Sequence, residues 1–213
     1  TMLCCITTDC IISNELLASM LGGVIDDSFN KVTVDGDMST NDTVIVMANG
    51  ASGVEIKPGS PDELHFKVAL TMVAQHLARA IAMDGEGATK FVSVEVRGAA
   101  SVRDAEVCAR TIANSLLCKT AWFGCDPNWG RVLAAAGRSG ASFSPENVSL
   151  DYDEMPVVRN GIDAGTPESE LAQVLKRGEF TIKLDLGEGH GTFTVWTSDI
   201  SYEYVKINAD YHT

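Results

Sequence analysis

The sequence predicts an α+β fold, and three observations carry that expectation. Strand and helix patterns interleave without the regular alternation of a parallel doubly wound sheet. Helix starts are marked at Ser13, Ser60, Asp126 and Thr166. The last third is rich in β-branched and aromatic residues. With 213 residues and 45% hydrophobic content the chain can bury a substantial core, in one large domain or two smaller ones. The weakest stretch in the middle is GEGATK, so a boundary is placed near residue 91, giving domains 1–91 and 92–213.

The elements follow in order. TMLCCITTD reads as a buried strand, and Ser13 caps a helix carrying Leu16, Leu17, Met20 and Leu21, with Gly22 and Gly23 weakening its continuation. VDGDMSTNDT is a loop by its density of Asp, Ser, Thr, Asn and Gly, and VIVMANG a buried strand ending in a turn. Ser60, Pro61 and Glu63 form a capping-box start for a helix through Val73, Leu77 and Ile81 that stops at MDGEG. FVSVEVRG alternates as a strand, and the segment after Ser101 is a helix. Asp126 and Pro127 announce a further helix with Gly137 as its stop, and Thr166 with Pro167 another. FTIKLDL, GTFTVWTSD and YEYVKIN read as strands, the first two joined by LGEGHG as a hairpin turn.

Composition narrows the function classes. A formal net charge of −13, from 29 acidic against 16 basic residues, argues against nucleic acid, and Lys176 with Arg177 is too short a basic group to offset it. Such a surface also steers cationic substrates, although solubility is the plainer reading. The six cysteines, at 4, 5, 10, 108, 118 and 125, form no CxxC pair and no metal-spaced cluster, so free buried thiols in a reducing compartment are expected. No metal and no cofactor is expected. Neither a signal peptide nor a membrane span of about 20 apolar residues is present, so a soluble protein without membrane partners is expected.

Thr1, rather than methionine, stands first, which fits either a fragment or an N-terminus made by cleavage. The second explanation has specific chemistry. A threonine with a free α-amino group carries nucleophile and base on adjacent carbons. No Ser/His/Asp motif is then needed in a chain with four histidines, His65, His76, His190 and His212, and no GxSxG element.

Five long segments in order, TMLCCITTD, VDGDMSTNDTV, MDGEGATKF, ANSLLCKTA through FGCDPNWGRVLAAAG, and YVKINADYHT, resemble the β chain of the ornithine acetyltransferase family, also called glutamate N-acetyltransferases. The resemblance implies a layered α/β sandwich of the self-cleaving aminopeptidase and ornithine acetyltransferase type, with a smaller C-terminal α+β domain whose tail returns to the active site. It implies a precursor that cuts itself before the threonine into an α chain and this β chain, as αβ units pairing to α2β2. It also implies transfer of acetyl from N-acetylornithine to glutamate through an acetyl-threonine, in the cyclic route of arginine synthesis. Some members use acetyl-CoA as well. The compartment expected is the cytoplasm, or the mitochondrial matrix in a eukaryote.

Carried over residue by residue, Thr1 is the nucleophile, Glu86 of DGEGATK contacts substrate, and Asn208 and Thr213 close over it. Leu116 departs from the family, which usually shows proline there. Each assignment has a plainer rival. A glutamate between glycines is commonly a solvated turn residue, but on a tight bend its carboxylate can meet an amino-acid ammonium. Asn208 and Thr213 lie in the last six residues, where fraying is the default. Asn41 and Asp42 either serve turn chemistry or orient Thr1. Arg131 near DPNWGR suggests phosphate binding only weakly, and capping with core packing of Trp129 is preferred. Asp104 and Glu106 read as solvated helix faces.

Two other functions compete. An N-terminal-nucleophile aminopeptidase or amidohydrolase would share the threonine chemistry and release the acyl group to water. A non-catalytic binding subunit would leave Thr1 without a role.

Overall fold

The computed structural model describes residues 1–211. The chain packs as two compact units. Residues 1–31 and 36–79 form the first, and residues 32–35 with the chain from Ala80 onward form the second.

In the first unit, strand β1 (Leu3–Thr8) pairs in parallel with β2 (Thr43–Ala48), Leu3 opposite Thr43 and Thr7 opposite Met47. Parallel pairing needs a crossover, and helix α1 (Asn14–Asp26) lies within it. The Ser13 hydroxyl accepts from the Leu16 amide at 3.2 Å, and α1 continues through Gly22 and Gly23 because Leu16, Leu17, Met20 and Val24 bury one face. Leu17 and Val24 meet Leu70 and Ala74 of helix α2 (Pro61–Met83), with Ile6 and Val46 of the two strands against them. The α2 cap departs from the reciprocal box. Ser60 accepts from the Glu63 amide at 3.3 Å, but the Glu63 carboxylate reaches back to the Gly59 amide at 2.5 Å.

The expectation of buried strands here is corrected. Residues of β1 and β2 alternate exposed and half-buried, since a parallel pair is buried only when layers cover both faces, and one face of this pair is open.

The second unit holds a six-stranded sheet in the order β6-β5-β4-β7-β3-β8. Strand β3 (Phe91–Ala99) is central, paired in parallel with β7 (Glu179–Asp185) and antiparallel with β8 (Gly191–Ser198). FVSVEVRG is therefore buried on both faces rather than alternating. The expected β7–β8 hairpin does not form, because β3 lies between those strands and LGEGHG spans it. Strands β4 (Ser149–Tyr152), β5 (Met155–Arg159) and β6 (Ile162–Asp163), which sequence patterning left unassigned, extend the sheet.

Helix α3 (Val102–Ala113) is capped by Ser101 and packs on β3 and β8. Helix α4 (Leu116–Phe123), capped by Ser115, was not foreseen. Helix α5 (Trp129–Gly137) begins after Asn128 and not at Asp126, and α6 (Glu168–Leu175) follows Pro167. These helices and the sheet share one core in which Trp122, Tyr152 and Phe180 are fully buried. YEYVKIN is not a strand but part of helix α7 (Tyr202–Asp210), because the Ser201 hydroxyl accepts from the Glu203 amide and starts a helix there.

The division between units falls inside α2, between Arg79 and Ala80, rather than near residue 91. GEGATK reads as a linker by composition, but hydrogen bonds tie it into the second unit. The C-terminal unit is also the larger of the two within this chain. Of the cysteines, all free, Cys10, Cys108 and Cys118 are buried, whereas Cys4 and Cys125 are partly exposed and Cys5 is exposed, which corrects the expectation of six buried thiols.

Candidate active site

Thr1 precedes β1 in the first unit. Its hydroxyl lies 3.0 Å from the Ser39 hydroxyl, either of which can donate. The Met2 amide donates to the Asp42 carboxylate at 2.7 Å, and the Met2 carbonyl accepts from the Thr43 amide at 2.8 Å. The polar loop 34–43 thus brings two side chains onto the start of β1. Ser39 was not singled out by sequence reasoning. Of the pair left open, Asp42 reaches the Thr1–Met2 peptide, while Asn41 stays local, its amide donating to Ser39 and its carbonyl accepting from the Thr43 hydroxyl.

Glu86 and Asn208 belong to the second unit and meet there. The Asn208 side-chain amide donates to Glu86 Oε2 at 2.7 Å and to the Tyr204 carbonyl at 3.0 Å. Asn208 is therefore held on the last turns of α7 and does not sit in a frayed tail. Both side chains are exposed. Thr213 lies outside the described residues.

The Glu86 turn is fixed by its neighbours. Gly87 has φ +64°, and a Cβ there would stand 2.5 Å from the Tyr204 nitrogen, so only glycine fits the approach of the turn to α7. The Ser201 hydroxyl donates to the Gly87 carbonyl at 2.5 Å. Asp199 is 2% exposed, and its carboxylate accepts from the Thr89 amide at 2.8 Å, the Lys90 amide at 3.0 Å and the Thr89 hydroxyl. Behind it, Lys119 of α4 is 1% exposed and donates to the Thr197 hydroxyl at 2.8 Å and to the Ser198 carbonyl. Burial pushes the Lys119 ammonium down to about 8, while the charges of Asp199, Asp35 and Cys118 oppose that shift. A cleft opens beside the turn, walled by residues 87–89, Phe123 and residues 201–203, with Phe123 and Tyr202 edge to face at 5.3 Å.

Other residues weighed in the sequence have structural roles. Arg131 donates to the Leu117 carbonyl at 2.9 Å, and Trp129 packs against the core. Asp104 accepts from Ser101 at the start of α3. Glu106 pairs with Arg110 and Arg103, and the bond from Arg110 holds its carboxyl below the ordinary range against the effect of burial. Among the described residues no group of three or more His, Cys, Asp or Glu side chains is placed to hold a metal ion, and no helix is long and apolar enough to cross a membrane.

A family model described as "ArgJ family" matches residues 1–213. A protein of Chlorobium chlorochromatii named arginine biosynthesis bifunctional protein ArgJ is 49% identical over 213 residues, covering 100% of this chain and 49% of that protein. A protein of the same name from Geobacter sulfurreducens is 50% identical, with 100% and 55% covered. A glutamate N-acetyltransferase of Methanocaldococcus jannaschii is 49% identical, with 100% and 54% covered. The chain thus spans about half the length of the curated relatives it matches. A crystal structure of arginine biosynthesis bifunctional protein ArgJ from Bacillus halodurans superposes with a TM-score of 0.94 at 40% identity, covering 99% of this chain and 100% of that one.

Proposed function

The chain belongs to the ArgJ family, and from that premise we propose that it is the nucleophile-bearing part of an acetyltransferase that moves acetyl from N-acetylornithine to glutamate in arginine synthesis. In this reading the Thr1 hydroxyl attacks the acetyl carbonyl and its proton passes to the α-amino group. The α-ammonium gives that proton to the departing nitrogen as the C–N bond of acetylornithine breaks, so ornithine leaves as the amine and an acetyl-threonine ester remains. The neutral amine of glutamate then attacks that ester, loses a proton to the α-amino group and forms N-acetylglutamate, and that proton passes to the departing Thr1 oxygen to restore the hydroxyl. Glu86, steadied by Asn208, meets the ammonium of the amino-acid substrate.

The observation that supports this most is the seating of Thr1: a hydroxyl 3.0 Å from Ser39, with the adjoining peptide held by Asp42. A β-branched nucleophile has few rotamers, and these bonds restrict it further. In an uncut precursor the α-amino group is tied up in a peptide bond, so Ser39 or Asp42 is the nearest help for cleavage before Thr1. The remaining half of the protein, proposed as an α chain from the same precursor, supplies the rest of the site, and αβ units pair as α2β2.

Mass spectrometry after quenching with acetylornithine alone tests the scheme. One acetyl group is expected on Thr1, and acetyl on any other side chain overturns the role. Thr1→Ala leaves an uncut, inactive polypeptide, whereas Thr1→Ser retains cutting and some transfer. Rapid acetate release without glutamate would instead support a hydrolase.

A further inference from the structure

Asp199 and Lys119 are buried charged groups beside the Glu86 turn, and neither has a part in the chemistry above. Asp199 has the stereochemistry of a clamp. One carboxylate oxygen takes two consecutive backbone amides, Thr89 and Lys90, and the other takes the Thr89 hydroxyl. Its own backbone closes the ring, the Asp199 amide donating to the Lys90 carbonyl at 3.3 Å. Two residues on, Ser201 holds the Gly87 carbonyl, and Asn208 on the helix that Ser201 caps holds the Glu86 carboxylate. From 199 to 208 one segment therefore grips the turn at residues 86, 87, 89 and 90.

A carboxylate taken out of water is costly unless its lone pairs are met and a countercharge is near. Asp199 meets the first condition through the turn itself. Lys119 meets the second: its ammonium grips Thr197 and Ser198, the two residues before Asp199, and its charge acts on the Asp199 carboxylate. If buried charge served stability alone, apolar side chains of the same size would do as well. A charged clamp instead holds two amides and a hydroxyl in one geometry, three residues beyond Glu86.

We propose that Asp199, backed by Lys119, is a positioning residue that sets the Glu86 turn for the amino-acid part of the substrate. This rests on the reading of Glu86 as a substrate-binding residue. Asp199 touches no substrate, and its effect passes through the backbone of Thr89 and Lys90 to the carboxylate of Glu86 and its partner Asn208.

The test is a double-mutant cycle on the full-length protein, reading KM for acetylornithine and kcat separately. Asp199→Asn and Thr89→Val each raise KM about tenfold with kcat changed less than about twofold, as expected when ground-state binding is lost. Thr89→Ser, which keeps the hydroxyl, restores the wild-type KM. In a Glu86→Gln background neither change raises KM further. Additive increases in that background, or a kcat loss without a KM change, overturn the proposal. Should Asp199→Asn fail to fold, Thr89→Val and Thr89→Ser carry the same comparison with one hydroxyl altered. A Glu86→Gln protein with unchanged KM sinks the reading of Glu86 instead, a result distinguishable from Asp199 failing to couple to it.

Discussion

Lys119 is an ammonium 1% exposed whose partners are a hydroxyl and a carbonyl. Its folded pKa, lowered from the ordinary 10.5 to about 8, means the charged form is strained by burial. That cost is fully present below pH 8 and is relieved as pH rises from 8 towards 10.5, where the unfolded chain holds a proton that the folded one has released. Stability relative to Lys119→Met should therefore climb over this window by on the order of 3 kcal/mol, at about 1.4 kcal/mol per pH unit. Cys108, pushed up to about 11, acts in the opposite sense above pH 9, but it is shared by the two proteins and cancels in the difference, whereas Cys118, also raised, feels the Lys119 charge, so the comparison is read below pH 9. Parallel denaturation curves from pH 7 to 9 would show that the ammonium carries no such strain. Neither Lys119 nor Asp199 was legible in the sequence, since a lone lysine in LLCKTAW and an aspartate after a strand reveal their partners only in three dimensions. Glu86 and Asn208 were legible because long motifs carry them, and their mutual hydrogen bond was not.

Leu116 occupies the first position of α4, after Ser115 at φ −75° and ψ 111°. That extended conformation is what a following proline requires, and the first helical position has an amide to spare. Leu116→Pro should thus stabilise the protein by about 0.5–1 kcal/mol through its unfolded state, read as a higher thermal midpoint. A loss of more than about 1 kcal/mol would mean that Leu116 contributes packing that its exposed position does not suggest. Gly87→Ala is the contrasting case: with φ +64° and the Tyr204 nitrogen 2.5 Å from the new Cβ, turn and helix must separate. On the proposed function, weaker acetylornithine binding with little change in Thr1 acetylation is expected, measured by KM against burst amplitude. Elements were legible where local chemistry decides them. Ser13, Ser60 and Ser101 start the helices that their sequences announce. Tertiary placement was not legible. LGEGHG is a turn as read, but the insertion of β3 converts an apparent hairpin into a crossover, and the period-two run in YEYVKIN gives way to the Ser201 cap.

At the scale of the whole molecule the two units differ in how fully they cover their apolar surface. The second has a continuous core in which Val92, Val94, Val96, Ile182 and Leu184 are fully enclosed, and helices capped by serine supply the cover. The first rests on a two-stranded parallel sheet, a form that is marginal by itself and ordinarily covered on both faces. One face of that sheet carries Ile6 and Val46 towards α1 and α2, but the other presents Leu3, 76% exposed, with Cys5, Ile45 and Met47. Helix α2 repeats the problem on its far side, where Leu64, Val68 and Met72 recur at four-residue spacing and Met72 is 65% exposed. Apolar surface arranged in stripes on regular elements behaves as an unfilled interface and drives association. Produced without the α chain proposed above, this chain should aggregate or bind a hydrophobic dye strongly, and co-production with that α chain should abolish both effects. Hydrogen exchange on the chain alone should find slow amides in β3 and β7 while those of β1 and β2 exchange quickly, because two paired strands with an open face protect little. A soluble monomer that unfolds cooperatively, with β1 and β2 as protected as β3, would mean that the first unit is self-sufficient and that its exposed stripes need no partner.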